Sequence, residues 1–338
     1  MTQGSASLDD IKRQYLKQIH TTACLANGGS TRRLADLYAP EVAWHGCHPF
    51  NDLAGTSAVD ADVFAPLLRA FPDLRQRTDI VMSGHFENGD WIASTGHFVG
   101  LFSDDFLGIP ASRRPAWLRF GAFERVENGR VHDAYWILDL PGLMMQSGVW
   151  PLSASLGVER ISPAPETQDG LALSPRNEAE SEKSLKLVEA MIAGLMQYDR
   201  TALASMGMRR FWTPDFHWYG PAAIGTMRGH EDYERGHQGP FLHAFPDRVG
   251  GDHKCRIGDG AYVASTGWPS IRATHNGGGW LGLAPTGRRI SMRVMDFWRR
   301  GDDLLEENWV FIDLIDLLLQ MDVDVFARMH ARRNAYSS

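Results

Sequence analysis

Proton chemistry at neutral pH needs a carboxyl or imidazole partly withdrawn from water. The run Met292-Arg293-Val294-Met295-Asp296-Phe297-Trp298 supplies such a place. Alternate residues of a strand share a face, so Asp296 projects with Met292, Val294 and Trp298 as a lone carboxylate among apolar neighbours. Burial there disfavours the charged form and raises its pKa, the state in which a carboxyl can both take and return a proton. The same residue also fits a structural ion pair with Arg293 or Arg299, or an outward direction. In the first half of the chain His45, His97 and His132 are the titratable candidates, each on an expected strand or strand end. Imidazole shuttles protons near neutrality and also ligates zinc, copper or iron. This half has no Glu-x-x-His or His-x-His spacing, and no metal is expected. Taken singly, each of these histidines is more often structural.

Eleven tryptophans are available to line or fill a cavity. Trp218 with Tyr219 as a polar tip, Trp268, Trp280 and Trp298 cluster in the second half, and Trp44 is the first-half counterpart of Trp218. Core packing accounts for most aromatic residues in any protein; the surplus favours a flat apolar ligand. Gly277-Gly278-Gly279 lacks the Lys-Ser/Thr of a phosphate loop and reads as a loop over a pocket mouth, with His275 beside it. No Gly-x-Ser-x-Gly elbow is present. Cys47 lies near His45 and His48, a proximity that is a weak nucleophile signal.

The elements that must position these groups occur twice. Tyr38-Ala-Pro-Glu-Val-Ala-Trp-His-Gly46 returns as Trp212-Thr-Pro-Asp-Phe-His-Trp-Tyr-Gly220, Phe71-Pro-Asp73 as Phe245-Pro-Asp247, and Ala93-Ser-Thr-Gly96 as Ala264-Ser-Thr-Gly267. Asp139-Leu140 returns as Asp313-Leu314. A period this long marks a duplicated domain rather than a solenoid. Each half opens with helical periodicity, at 8–27, 31–38 and 60–70, then 178–198, 201–211 and 231–243. Alternating strands follow, with Asn88-Gly89 and Asn128-Gly129 as hairpin turns. The expected fold is α+β: two tandem cone-shaped domains, each with three helices packed on a curved antiparallel sheet. Pro151 to Asn177, rich in Ser, Pro, Gly, Glu and Gln, is a linker in composition. The domains are placed at 1–160 and 178–338, joined by 161–177.

Composition sets further bounds. The 338 residues are 43% hydrophobic and 22% charged, with a net charge of −7, so the basic footprint of a nucleic-acid binder is missing. No apolar run approaches the roughly 18 residues of a membrane span, and residues 1–11 lack the apolar core of a signal peptide. Three cysteines without metal spacing fit a reducing compartment, and a cytoplasmic location is expected.

The stretch Thr274-His-Asn-Gly-Gly-Gly-Trp-Leu-Gly-Leu-Ala-Pro-Thr-Gly-Arg-Arg-Ile290, with Phe-Pro-Asp at 71–73 and 245–247 and Glu307-Asn-Trp309…Asp313…Leu319-Gln320, resembles SnoaL-like polyketide cyclases of the nuclear-transport-factor-2-like superfamily. The first half matches more loosely, through Asn128-Gly-Arg-Val131, Asp133, Asp139 and Gln146. The resemblance implies an apolar pocket, no metal or organic cofactor, and an acid/base residue that protonates a carbonyl while an enolate closes a ring. It also implies pairing of domains through their sheets, here within one chain as a pseudo-dimer, with a homodimer as a further option. Carried over by position, the family's acid falls on Trp136 and Val310 and the preceding histidine on Ala134 and Asn308. Asp296 aligns with a second polar position of the family, which is Ala122 in the first half. If Asn308 and Val310 face inward, Glu306 does too, and Ala134 with Trp136 implies His132. The expected catalytic set is therefore Asp296 and Glu306 as acid and base, with Asn308 donating to an oxyanion. Trp218, Tyr219, Trp268, His275, Trp298, His45, His97, His132 and Trp136 are the expected substrate contacts. The implied activity is a cofactor-free cyclase, lyase or isomerase acting on a small hydrophobic carbonyl compound, the second half being the active one. The alternative is a binding module for a small molecule or protein.

Overall fold

A computed structural model describes residues 7–337 apart from 27, 88 and 172, with side chains through 332. Its contacts divide the chain into two units, Met1–Val149 with Pro163–Arg176 and Trp150–Ser162 with Asn177–Ser338. The sequence puts a boundary at 160 and a linker at 161–177; here 150–162 cluster with the second unit and 163–176 with the first.

The first unit opens with α1 (Leu8–Thr21). Ser7 caps it, its hydroxyl accepting the Asp10 amide at 3.2 Å, and Ile11, Tyr15 and Ile19 form the buried stripe that four-residue spacing produces. This helix ends at Thr21; Asn27, its expected end, lies outside the described residues. Next come α2 (Gly29–Leu37), β1 (Tyr38–Gly46) and β2 (Asp52–Ala54). The third expected helix is interrupted: α3 (Thr56–Val59), a π-helical turn over Asp60–Phe64, and α4 (Ala65–Ala70). Then follow β3 (Arg75–Phe86), β4 (Gly89–Leu101), β5 (Pro115–Glu127), β6 (Arg130–Leu138) and α5 (Leu140–Gln146). Asn128 and Gly129 have φ of 50° and 75°, the left-handed pair that a tight hairpin needs. Asn88, of the other hairpin turn, lies outside the described residues. The sheet order is β2-β1-β6-β5-β4-β3. One pair, β1 with β6, is parallel, so the sheet is mixed rather than wholly antiparallel.

The second unit repeats this order with α6 (Glu178–Leu195), β7 (Trp212–Tyr219), β8 (Thr226–Arg228) and α7 (Gly229–Tyr233). A π-helical turn over Glu234–Gln238 leads into α8 (Gly239–Ala244), then β9 (Val249–Gly250), β10 (His253–Asp259) and β11 (Tyr262–Thr274). The unit closes with β12 (Arg289–Arg300), β13 (Leu305–Ile312), α9 (Leu314–Gln320) and α10 (Val325–Ser337). Its sheet runs β10-β11-β12-β13-β7-β8, with β9 on β11 and β13 parallel to β7. The helix expected over 201–211 is instead two short 3-10 turns, Leu203–Met206 and Met208–Arg210. Gly207 between them has φ of 64°, a left-handed conformation that an α-helix cannot continue through.

The repeated motifs are the fastenings of each unit. Asp139 and Asp313 cap α5 and α9, accepting the amides of Gly142 at 3.1 Å and Asp316 at 3.2 Å. Asp73 and Asp247 pin the far ends of β4 and β11 by accepting the Leu101 amide at 2.8 Å and the Thr274 amide at 2.7 Å. Gln146 and Gln320 complete the open edge of a strand, each bonding both the amide and the carbonyl of one residue, Trp117 and Ser291. Helix α6 covers β10 and β11 on one face of the second sheet, and the site lies between these layers. No described helix is long and apolar enough to cross a membrane.

Candidate functional site

The second unit holds a cavity of about 220 Å³ between its helices and the inner face of its sheet. The alternation of β12 sends Met292, Val294, Asp296 and Trp298 into it, and that of β13 sends Asn308, Val310 and Ile312. Trp218 of β7 and Ser265 of β11 complete the sheet side. The helical wall carries Met191, Met196, Met206 and Met208, flexible thioethers that adapt to the outline of an apolar guest. Exposed Met196 and Val249 stand at its mouth.

Asp296 is the one carboxylate among these lining residues. Withdrawal from water pushes its pKa up to about 7, opposed by its bond to Asn308 and by the Arg256 charge. The Asn308 amide nitrogen donates to the Phe297 carbonyl at 3.0 Å and to Asp296 Oδ1 at 3.4 Å. Both of its N–H directions are thus taken up within the sheet, where the sequence expects Asn308 to donate to an oxyanion. Arg256 is held on Ser265 Oγ at 3.4 Å and His253 Nε2 at 3.0 Å, so among the described residues Asp296 has no cationic hydrogen-bond partner that would fix it as an anion.

Opposite the sheet, the helix bearing the π turn contributes Tyr233, His237 and Gln238. Burial and the nearby Asp296 raise the Tyr233 phenol pKa, so it remains a hydrogen-bond donor at neutral pH. Burial pushes the His237 imidazole down to about 3, leaving it neutral. Its ring stacks on Trp218 with centroids 4.2 Å apart. The buried His237 Nδ1 and Gln238 Nε2 have no hydrogen-bond partner among the described residues. None of this trio was singled out from sequence. The aromatic spacing Tyr233, His237, Phe241, Phe245 is the signal that could have found its first two members.

Of the expected residues, Asp296, Asn308, Trp218 and Trp298 line the cavity, and the others lie elsewhere. Glu306 is the main correction. The β12–β13 register slips between Arg299 and Arg300, which pair with Glu307 and Leu305. Glu306 is therefore the extra residue of a bulge, where alternation fails, and it pairs with Arg299 at 2.5 Å. Tyr219 faces away from Trp218 and donates to Glu307 at 3.1 Å. Trp268 lies under the Arg293 guanidinium, 5.0 Å from its ring centre. His275 is fully buried against Thr286 Oγ1 at 3.1 Å, and the glycine loop beside it is tied down by the Asn276 amide bonding Ala244. Neither His275 nor that loop lines the cavity.

The first-unit histidines do not converge. His45 sits between Asp52 at 2.7 Å and Asp133 at 3.3 Å, which raise its pKa, and stacks on Tyr135. His97 pairs with Asp79 at 3.2 Å, and His132 approaches Glu41 at 3.8 Å. Cys47 exchanges hydrogen bonds with the Leu138 backbone and is structural. Trp136 is buried in a stack with Phe98 and Phe120 and fills the space that Val310 leaves open in the second unit. The first unit also buries a carboxyl that sequence reasoning missed, Glu124. It stands where the second unit has Trp298, accepts from Tyr38 Oη and from Trp136 Nε1, and has its pKa raised by burial.

At the remaining positions around this interior, Val59, Val63, Phe64, Ala122 and Ala134 replace Tyr233, His237, Gln238, Asp296 and Asn308. The two halves share a backbone plan, but only the second surrounds its cavity with this polar set.

The family model for SnoaL-like polyketide cyclases matches the chain twice, over residues 17–147 and 198–321. A search of curated proteins returned no match. Among solved structures, a protein from Jannaschia sp. CCS1, provisionally titled a SnoaL-like polyketide cyclase, is 16% identical. That match covers 43% of this chain and 96% of that one, with a TM-score of 0.36. IdmH from Streptomyces antibioticus, provisionally titled a polyketide cyclase, is 21% identical over 41% of this chain and 98% of its own, with a TM-score of 0.34. AclR from Streptomyces galilaeus, provisionally titled a hydroxylase, is 16% identical over 43% and 100%, with a TM-score of 0.36.

Proposed function

The chain belongs to the SnoaL-like polyketide cyclase family, and from that premise we propose that its second domain is a cofactor-independent acid/base enzyme acting on a compact hydrophobic carbonyl compound. The observation that carries this reading is Asp296, a carboxyl with a pKa of about 7 inside a cavity lined largely by apolar side chains. As carboxylate it takes a proton from the carbon beside a carbonyl, and as acid it returns one. The intermediate enolate can attack a second carbonyl and close a ring, reprotonate elsewhere to give an isomer, or expel water; run backward, ring closure becomes retro-aldol cleavage. Asn308 holds the carboxyl, and Trp218 and Trp298 form flat walls for a planar guest. A cavity of about 150 Å³ holds benzene, so about 220 Å³ suits one or two rings rather than a long polycycle. We assign the first domain no turnover, because aromatic side chains occupy its interior and Asp296 has no counterpart there.

The test incubates the whole chain with a panel of aromatic and polyketide-like carbonyl compounds and follows product masses against Asp296→Asn. A product formed only by the unaltered protein supports the assignment. Unchanged mass indicates cyclisation or isomerisation, lost water dehydration, and fragments cleavage. Binding across the panel without any product would instead support a binding module.

A further inference from the structure

We propose that Gln238 binds the substrate's carbonyl oxygen from the helical wall while Asp296 works on the adjacent carbon from the sheet; this rests on the acid/base reading above. Gln238 is 4% exposed, lines the cavity, and leaves Nε2 without an acceptor among the described residues. A buried amide without a partner is costly and uncommon. Packing does not require it, since the equivalent residue of the first domain is Phe64, 3% exposed on the matching π turn. The fold accepts a hydrocarbon at this position, and the second domain carries a donor there.

A buried, unpartnered amide N–H on a residue that lines the cavity calls for an oxygen acceptor. The neighbouring His237 is neutral, so it adds no positive charge beside Gln238, which suits a carbonyl whose charge grows only during reaction. The step balances without a co-reactant. Asp296 takes the α-proton, the C–H electron pair becomes the carbon–carbon double bond, and the carbonyl π pair moves onto oxygen beside Gln238. Reprotonation on carbon restores the carboxylate.

The experiment compares binding of 2-tetralone with that of tetralin, which has the same rings and no carbonyl. Calorimetry on the whole chain is run for the unaltered protein, Gln238→Leu and Asp296→Asn, with deuterium exchange of the ketone's α-hydrogens followed in parallel. The unaltered protein should favour the ketone by about tenfold, the scale of one hydrogen bond, and Gln238→Leu should lose that preference. Exchange should fall about 100-fold in Gln238→Leu, comparable to losing an oxyanion donor, and by about 10²–10⁴-fold in Asp296→Asn, which keeps the preference. If the ketone preference survives in Gln238→Leu, or neither compound binds the unaltered protein, the assignment of Gln238 is overturned. If the preference depends on Gln238 but no exchange occurs, Gln238 stands as the carbonyl contact and the acid/base reading fails. Should Gln238→Leu not fold, as judged by circular dichroism, Gln238→Phe carries the same comparison, because the first domain already accommodates that side chain.

Discussion

Asp296 and Val310 face one another across the β12–β13 ladder, and the small Val310 side chain leaves open space beside the carboxyl. The first domain reverses the sizes, with Ala122 opposite Trp136, and has a packed aromatic interior. Val310→Trp should therefore close the cavity. Affinity for a one- or two-ring ligand should fall at least about tenfold, while stability changes by less than the ~1–3 kcal/mol of ordinary overpacking, because the space already exists. Ligand titration alongside thermal melting checks both; unchanged affinity would mean that ligands bind elsewhere.

Asp296→Asn keeps the shape of the side chain and removes its proton chemistry. Turnover should drop by about 10²–10⁴-fold, the usual contribution of a positioned acid or base, with ligand affinity preserved. Single-turnover rates and calorimetry on the same samples separate these effects.

Two buried groups give stability opposite pH dependences. Asp296 titrates near 7 in the fold and near 4 when unfolded, so between those values the folded state holds the extra proton. Its stabilising effect is complete below about 4 and is lost as pH rises through 7. His237 is lowered to about 3 in the fold from about 6.5 unfolded, so it removes stability as pH falls below 6.5. Between about 4 and 6.5 the two slopes oppose each other. Asp296→Asn should consequently gain stability over the unaltered protein at pH 8 relative to pH 5, and should lose it more steeply on acidification. Denaturant midpoints at pH 5, 6.5 and 8 check this; parallel curves would place the Asp296 pKa at its ordinary value.

Glu306→Gln should leave turnover unchanged and cost less than about 1 kcal/mol, as for a part-exposed ion pair, because Arg299 keeps Glu307 at 2.5 Å. A large loss of rate, with melting unaffected, would return Glu306 to the chemistry.

Phe120→Ala should lower stability by about 3–5 kcal/mol, through lost burial and the cavity left behind. Rate per folded molecule should stay constant if the first domain does no chemistry. Urea unfolding and active-site-normalised rates supply the two numbers.

Much of the fold was legible because the repeated residues do local work that sequence can display: Asp139 and Asp313 cap helices, Asp73 and Asp247 pin strand ends, and Asn128-Gly129 turns a hairpin. Asp296 reached the cavity because β12 keeps strict alternation there. The same rule failed for Glu306, where a bulge adds one residue and shifts the face. Gln238 and His237 were missed because periodicity can mark a helix without revealing a π-helical turn inside it. Glu124 escaped because its burial depends on Tyr38 and Trp136, partners from two other strands that one sequence does not pair with it. The first-half histidines were placed on strands correctly, but their partners Asp52, Asp133, Asp79 and Glu41 come from other segments and could not be matched from one sequence.

The π-helical turn occupies the same place in both halves, Asp60–Phe64 and Glu234–Gln238. Its presence in each copy is most simply inherited from the ancestral single domain that was duplicated. Divergence then proceeded by exchanging side chains on an inherited backbone, with no remodelling of that helix required. The first half thus carries Val59, Val63, Phe64, Ala122 and Trp136 where the second carries Tyr233, His237, Gln238, Asp296 and Val310, so five side chains on one shared backbone separate a filled interior from an open, polar-edged one.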